Sequence, residues 1–219
     1  MDLNQVLIEA AKDGNMLVLK TALEKGANIN AKDGSGMTAL MYAEQRGYTQ
    51  LADYLREKGA KEDENFKAID DYTRAIELDP KDTKAYYNRG LAYSNLRQYQ
   101  KAIDDYTRTI ELDPKFATIA YYNRGTVYDE LRQYQKAIDD YTRAIELDPK
   151  FATIAYYNRG TVYDELRQYQ KAIDDCYQAG ILHLEQKDKA GAQQCINLIK
   201  AIDSSSSLII ELQNLVDQI

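Results

Sequence analysis

The side chains able to do covalent or metal chemistry are few. One histidine, His183, and two cysteines, Cys176 and Cys195, occur in 219 residues. His183 stands in a strongly helical stretch, and without a second histidine neither a triad nor a multi-histidine metal site can be assembled around it. Cys176 precedes His183 by two helical turns, too far along one helix for a thiolate–imidazole pair. Both cysteines read as buried thiols of a reducing compartment. Gly34-Ser35-Gly36 lacks the Gly-x-x-x-x-Gly-Lys pattern of a phosphate-cradling loop and reads as a turn. The acid pairs Asp104-Asp105, Asp139-Asp140 and Asp174-Asp175 recur at a fixed interval, as a solvated outer helix face would. The expectation is a non-catalytic chain with no cofactor and no metal, whose chemistry is binding.

Composition narrows the partner. Apolar residues make up 44% and charged residues 29% of the chain, enough for a folded core. Only 3 Pro and 11 Gly argue for helices throughout. The net charge is −7 with no run of Lys or Arg, which speaks against nucleic acid. The longest apolar runs, such as Leu208-Ile209-Ile210, are far short of the ~20 residues that span a bilayer. The N-terminus lacks a basic and apolar leader, so the expected location is cytoplasmic, without a Sec signal peptide. The aromatic residues are 19 Tyr, 3 Phe and no Trp, a skew that needs a structural reason.

The elements that position these residues follow from two internal repeats. In residues 1–60, Ala10 recurs as Ala43, Gly14 as Gly47 and Gly26-Ala27 as Gly59-Ala60, a period of 33. The second copy runs Asp33-x-x-Gly36-x-Thr38-x-Leu40-x-x-Ala43, then Gly47, Leu55 and Gly59-Ala60. It resembles an ankyrin repeat, with Ala39 where the family usually has Pro and Met41 where it usually has His. Thr38 is the predicted N-cap, Gly36 and Gly47 the turn residues, and the resemblance implies one short β-hairpin. The first copy, without a hairpin of its own, is the expected N-terminal cap.

From residue 64 the period becomes 34 to 35. Pro80, Pro114 and Pro149 each close Ile-Glu-Leu-Asp-Pro-Lys, and Gly90, Gly125 and Gly160 each end Ala-Tyr-Tyr-Asn-Arg-Gly. Each of these glycines is followed twelve residues on by an alanine, Ala102, Ala137 or Ala172, where two antiparallel helices can approach closely. With Tyr93, Tyr106 and Pro114 in frame, and Tyr86 in the usual Trp position, this resembles the tetratricopeptide repeat (TPR). Residues 115–140 and 150–175 are identical. Helices are predicted over about 83–96, 99–112, 118–131, 134–147, 153–166 and 169–185 in antiparallel pairs. Residues 65–80 form the second half of a repeat whose first helix is missing. The helix at about 48–58 is expected to fill that place, in a rigid junction. After Asp175 the repeat decays, and amphipathic helices over 187–219 are expected to cap the array, or else to dock a partner or a second copy.

The expected fold is all-α, a right-handed helical-repeat solenoid. Ankyrin-like repeats occupy 1–60, half a TPR and three TPRs occupy 61–186, and capping helices occupy 187–219. The TPR resemblance implies which residues face a concave groove. They are Tyr87, Asn88, Leu91, Ser94 and Asn95 in the first full repeat, then Tyr122, Asn123, Thr126, Asp129 and Glu130. The third repeat contributes Tyr157, Asn158, Thr161, Asp164 and Glu165. An amide both donates and accepts, so stacked asparagines can pair with the backbone of an extended peptide, as in the similar superhelix of O-linked GlcNAc transferases. Tyr87, Tyr122 and Tyr157 stand where TPRs that clamp chaperone C-termini need a lysine. The inward acids favour a basic or neutral protein segment instead. The resemblance therefore implies a scaffold that binds an extended protein segment. The alternative is a bacterial effector or an assembly or secretion chaperone acting by client binding, since Tyr-Tyr-Asn-Arg-Gly is similar to bacterial TPR sequences.

Overall fold

The computed structural model describes residues 2–148 and 152–218, and among them thirteen helices and no strand. The predicted turn at Pro149 lies outside the described residues. The chain forms two compact units, Met1–Ala102 and Ile103–Ile219. No helix among the described residues is long and apolar enough to cross a membrane.

In the first unit, α1 (Leu3–Lys12) and α2 (Met16–Glu24) form one ankyrin-like pair, and α3 (Ala39–Gln45) and α4 (Thr49–Glu57) the next. Short polar side chains start the first three. Asp2 accepts from Asn4 N–H, Asn15 from Val18 N–H and Thr38 from Met41 N–H, each satisfying a donor that the helix leaves open. Met41 closes its cap reciprocally, its sulfur accepting from Thr38 N–H at 3.3 Å. Leu7, Leu19, Leu40 and Leu55 fill the core between the pairs.

The short β-hairpin expected between the two ankyrin-like copies does not form. Asp33 is the reason. Its N–H donates to the Met37 carbonyl at 3.0 Å, as in a hairpin. Its carboxylate, however, accepts from Ser35 N–H at 2.9 Å and Met37 N–H at 3.1 Å, taking donors that a ladder would use. The result is a tight turn that docks on α6 (Thr83–Asn95). Gly36, at φ +74°, comes so close that a Cβ there would stand 2.5 Å from the Leu96 carbonyl oxygen. Beside it Met37 and Met41 pack with Ile69, Ala92 and Leu96. The half repeat, α5 (Glu64–Leu78), thus draws apolar cover from α6, from this turn and from α3. Helix α4 reaches the junction through Arg56, which pairs with Glu62 at 3.2 Å.

Helix α7 (Tyr99–Leu112) runs from the first unit into the second. The second unit continues with α8 (Pro114–Glu130), α9 (Tyr134–Leu147), α10 (Ala152–Glu165), α11 (Tyr169–Glu185), α12 (Lys189–Ile202) and α13 (Ser207–Gln218). The longer linker is absorbed locally. Asp113 caps α8 directly, with Pro114 in the first helical turn, whereas after Pro80 the chain turns once more before Asp82 caps α6. As the Gly–Ala spacing predicts, the helices of a pair meet at the glycines. A Cβ on Gly125 would lie 3.0 Å from the Tyr141 ring, and one on Gly160 would lie 2.9 Å from Cys176 Sγ.

One expectation is corrected here. Only one residue of each acid pair is solvated: Asp105, Asp140 and Asp175 are 5%, 5% and 6% exposed. Asp140 holds Arg124 in a two-pronged pair at 2.7 and 2.8 Å, while the same guanidinium donates to Thr107 at 2.8 Å. Arg159 repeats the arrangement with Asp175 and Thr142. Each arginine therefore ties its helix to the next one and to the one before. After Asp175 the helices run as expected, α11 to Glu185 and α12 from Lys189 to Ile202. Gly180 and Ala192 repeat the twelve-residue spacing, and a Cβ on Gly180 would meet Cys195 and Leu212 at 3.4 and 3.0 Å. Helix α11 is long enough to close one pair and open the next. Leu212 and Val216 of α13 lie over Ile173, Cys176, Ile196 and Ile199.

Candidate functional site

Helices α8 and α10 bring together most of the residues expected to face a groove. Tyr122, Asn123, Thr126 and Asp129 are spaced at helical intervals along one face of α8, and Tyr157, Asn158, Thr161 and Asp164 along α10. All eight are half-buried, while Glu130 and Glu165 are exposed. At the C-terminal ends of the two helices, Asp129, Glu130, Thr161, Asp164 and Glu165 line a depression of about 440 Å³ with Arg132 and Tyr134. Burial, then the charges of Glu130 and Glu165, push the Asp129 carboxyl above the ordinary carboxylate range. This is a negatively charged recess open to solvent.

Arg132 and Tyr134 are absent from the sequence-derived set. The signal was available: Arg97, Arg132 and Arg167 each follow their repeat's glycine by seven residues. All three adopt positive φ (57°, 55° and 57°), a conformation costly for a residue with a Cβ. That backbone turns the chain between the helices of a pair and puts Arg132 on the rim of the recess.

The middle of the face is tied together internally. Asn158 Nδ2 donates to the Tyr122 hydroxyl at 3.1 Å, linking one repeat to the next. The Tyr122 ring stacks tilted on Tyr141, centroids 6.0 Å apart. Tyr141 donates to Thr126 Oγ1 at 3.4 Å, while Thr126 and Thr161 donate to carbonyls of their own helices. Burial raises the Tyr157 hydroxyl pKa, and Cys176 and Cys195 are the nearby groups that add to it. The tyrosines therefore serve packing as well as surface. The Asn158 amide thus reaches Tyr122 and also the Tyr141 hydroxyl.

The corresponding residues of the first unit are arranged differently. Tyr87, Asn88, Leu91 and Ser94 are half-buried on α6, and Asn95 donates to Asn65 at 2.9 Å, bracing the start of α5. No carboxylates take the places of Asp129 and Glu130 there. The ankyrin-like pair has its own depression of about 460 Å³ beside Val6, Ala10 and Val18, lined by none of the expected residues.

Burial pushes the Cys176 and Cys195 thiols up to about 12, far from the thiolate state that reacts. His183 Nδ1 stands 2.8 Å from Asp188, the residue that caps α12 through Gly191 N–H. Among the described residues no cluster of three or more His, Cys, Asp or Glu is placed to hold a metal.

Comparison with known proteins agrees with this architecture. Models of the tetratricopeptide repeat match residues 83–116, 118–151 and 140–174, and a TPR-repeat model matches 62–96. A model of ankyrin repeats in many copies matches residues 7–56. No curated protein matches the chain. Among solved structures, a MamA protein superposes with a TM-score of 0.56 at 25% identity, over 79% of this chain and 88% of that one. BtubC (BKLC) from P. vanneervenii gives 0.59 at 16% identity, over 100% and 89%. A MamA RS-1 ArsTM double mutant gives 0.57 at 19% identity, over 86% and 96%. The last two likenesses are of fold alone.

Proposed function

The chain is an ankyrin-repeat and tetratricopeptide-repeat protein, a protein-interaction architecture, and from that premise we propose that it is a non-catalytic scaffold holding an extended protein segment on the face of α8 and α10. One observation carries the reading: equivalent residues of two successive repeats meet around a single recess, lined by the carboxylates of Asp129, Glu130, Asp164 and Glu165. A basic or neutral segment suits it, because like charge brought against these acids is costly. The half-buried amides of Asn123 and Asn158 suit a peptide backbone, whose groups need a donor and an acceptor that do not depend on sequence. Partner binding is the function of the whole chain in this reading, with the ankyrin-like pairs supporting the first TPR helices.

The test is a pull-down with mass spectrometry, comparing the wild-type chain with Asn123→Ala/Asn158→Ala at low and high salt. The expected result is a partner retained by the wild type, lost from the double variant and weakened by salt. A partner held equally by both chains would place binding elsewhere.

A further inference from the structure

Helices α8 and α10 lie side by side and run the same way. Tyr122 meets Asn158 at mid-length, and Asp129 feels the charge of Glu165 at the C-terminal ends. Like residues therefore face like. Ile119 and Ile154 mark one end of the face, and the four carboxylates mark the other. Ile154 keeps 48% of its surface in solvent, whereas Val162, on the inner side of the same helix, keeps 1%. Thr126 and Thr161 separate the ends without charge. Ten helical residues part Ile119 from Asp129, and Ile154 from Asp164, a distance of ~15 Å at 1.5 Å per residue. The acids sit in the last turn of each helix, where the helix dipole is already negative, so the potential at that end is built against the local preference of the helices. Arg132 is the cation on the rim, with four carboxylates against it.

We propose that this face reads a partner segment at two points, seating a large apolar side chain over Ile119 and Ile154 and a Lys or Arg among Asp129, Glu130, Asp164 and Glu165. At about 3.3 Å per residue, an extended chain covers ~15 Å in four to five residues, which sets the spacing of the motif. The inference rests on α8 and α10 forming the binding face and adds the chemistry that the face selects. Apolar burial at one end supplies affinity, while charge at the other supplies discrimination against acidic partners.

Random decapeptides displayed on phage are selected on the full chain, on Asp129→Asn/Asp164→Asn and on Ile154→Ser, with circular dichroism checking that each variant keeps its helices. The wild type should enrich peptides with one basic and one large apolar residue four to five positions apart. The best of these, made synthetically, should bind Asp129→Asn/Asp164→Asn at least ten-fold more weakly. Ile154→Ser should keep the basic preference and lose the apolar one. Enriched peptides whose binding these variants abolish, but which share no spacing, would overturn the two-point inference and leave the binding face standing. Peptides that bind all the variants equally, or a selection that enriches nothing, would overturn both.

Discussion

Asp129 meets two opposed demands. Burial, Glu130 and Glu165 raise its carboxyl above the usual value, so folding makes the charged form more costly. For a carboxyl whose pKa is raised by folding, the penalty is present at neutral pH and fades as pH falls through the raised value. Asp129→Asn should therefore stabilise the free chain at pH 7 by about 0.5 kcal/mol, as expected for relief of a screened like-charge contact. The gain, read from urea midpoints, should vanish below pH ~3.9, where carboxyls are protonated in both states. A lower midpoint at pH 7 would contradict the assignment. The same protonation should release a basic ligand on acidification, starting above the ordinary carboxylate range. Cys176 and Cys195 make the opposite case, as groups that burial has silenced. A thiol-reactive disulfide reagent should modify neither in the folded chain and both in urea; rapid labelling of the native protein would show that the core around them opens.

Among elements, Arg124 and Arg159, which follow Asn123 and Asn158, each join three helices. Arg159 pairs with Asp175 at 2.7 and 2.8 Å with both side chains largely buried, and donates to Thr142 as well. Removing one partner leaves the other charged and unpaired, so Arg159→Ala should cost about 3–5 kcal/mol in chemical denaturation. Replacing both, as Arg159→Met with Asp175→Leu, should recover most of that loss, because the desolvation penalty goes with the charges. Arg143→Ala, which breaks the exposed pair with Glu146 at 2.6 Å, should change nothing measurable. Equal losses at the two arginines would mean that burial is not what distinguishes them. From sequence alone, Arg124 and Arg159 were members of a repeated phrase and Asp140 and Asp175 half of a solvated pair. Sixteen residues separate each pair, and only the crossing of two helices brings them together.

At the scale of the molecule, the change of repeat type near residue 60 falls inside one compact unit. The turn at Gly36 and the side chains of Met37 and Met41 cover Ile69, Ala92 and Leu96, so the half repeat is completed by ankyrin residues. A chain beginning at residue 61 would expose those three, and its amides over 64–95 should lose hydrogen-exchange protection while those of α9 to α12 keep theirs. Unchanged protection over 64–95 would mean that the half repeat is stable alone. Gly36→Ala is the milder form of the test, since it brings a Cβ against the Leu96 carbonyl and strains a positive φ. It should loosen the same helices without removing any apolar side chain.

Helix pairs and the repeat period were legible in the sequence because their causes are local. Asp113 starts α8 at Pro114 and not near 118, but Thr38 caps α3 through Met41 and α12 begins at Lys189, as expected. The tyrosine skew came from repetition: all but Tyr42, Tyr48 and Tyr54 lie in the TPR part of the chain. What only the tertiary structure decided depends on residues that meet from afar. The buried acid of each pair, the contact of Gly180 with Cys195 and Leu212, and the place of Arg132 beside Asp164 were settled by packing. An identical phrase such as Tyr-Tyr-Asn-Arg-Gly announces its repetition, but burial, charge and partner come from the neighbouring repeat against which each copy is folded.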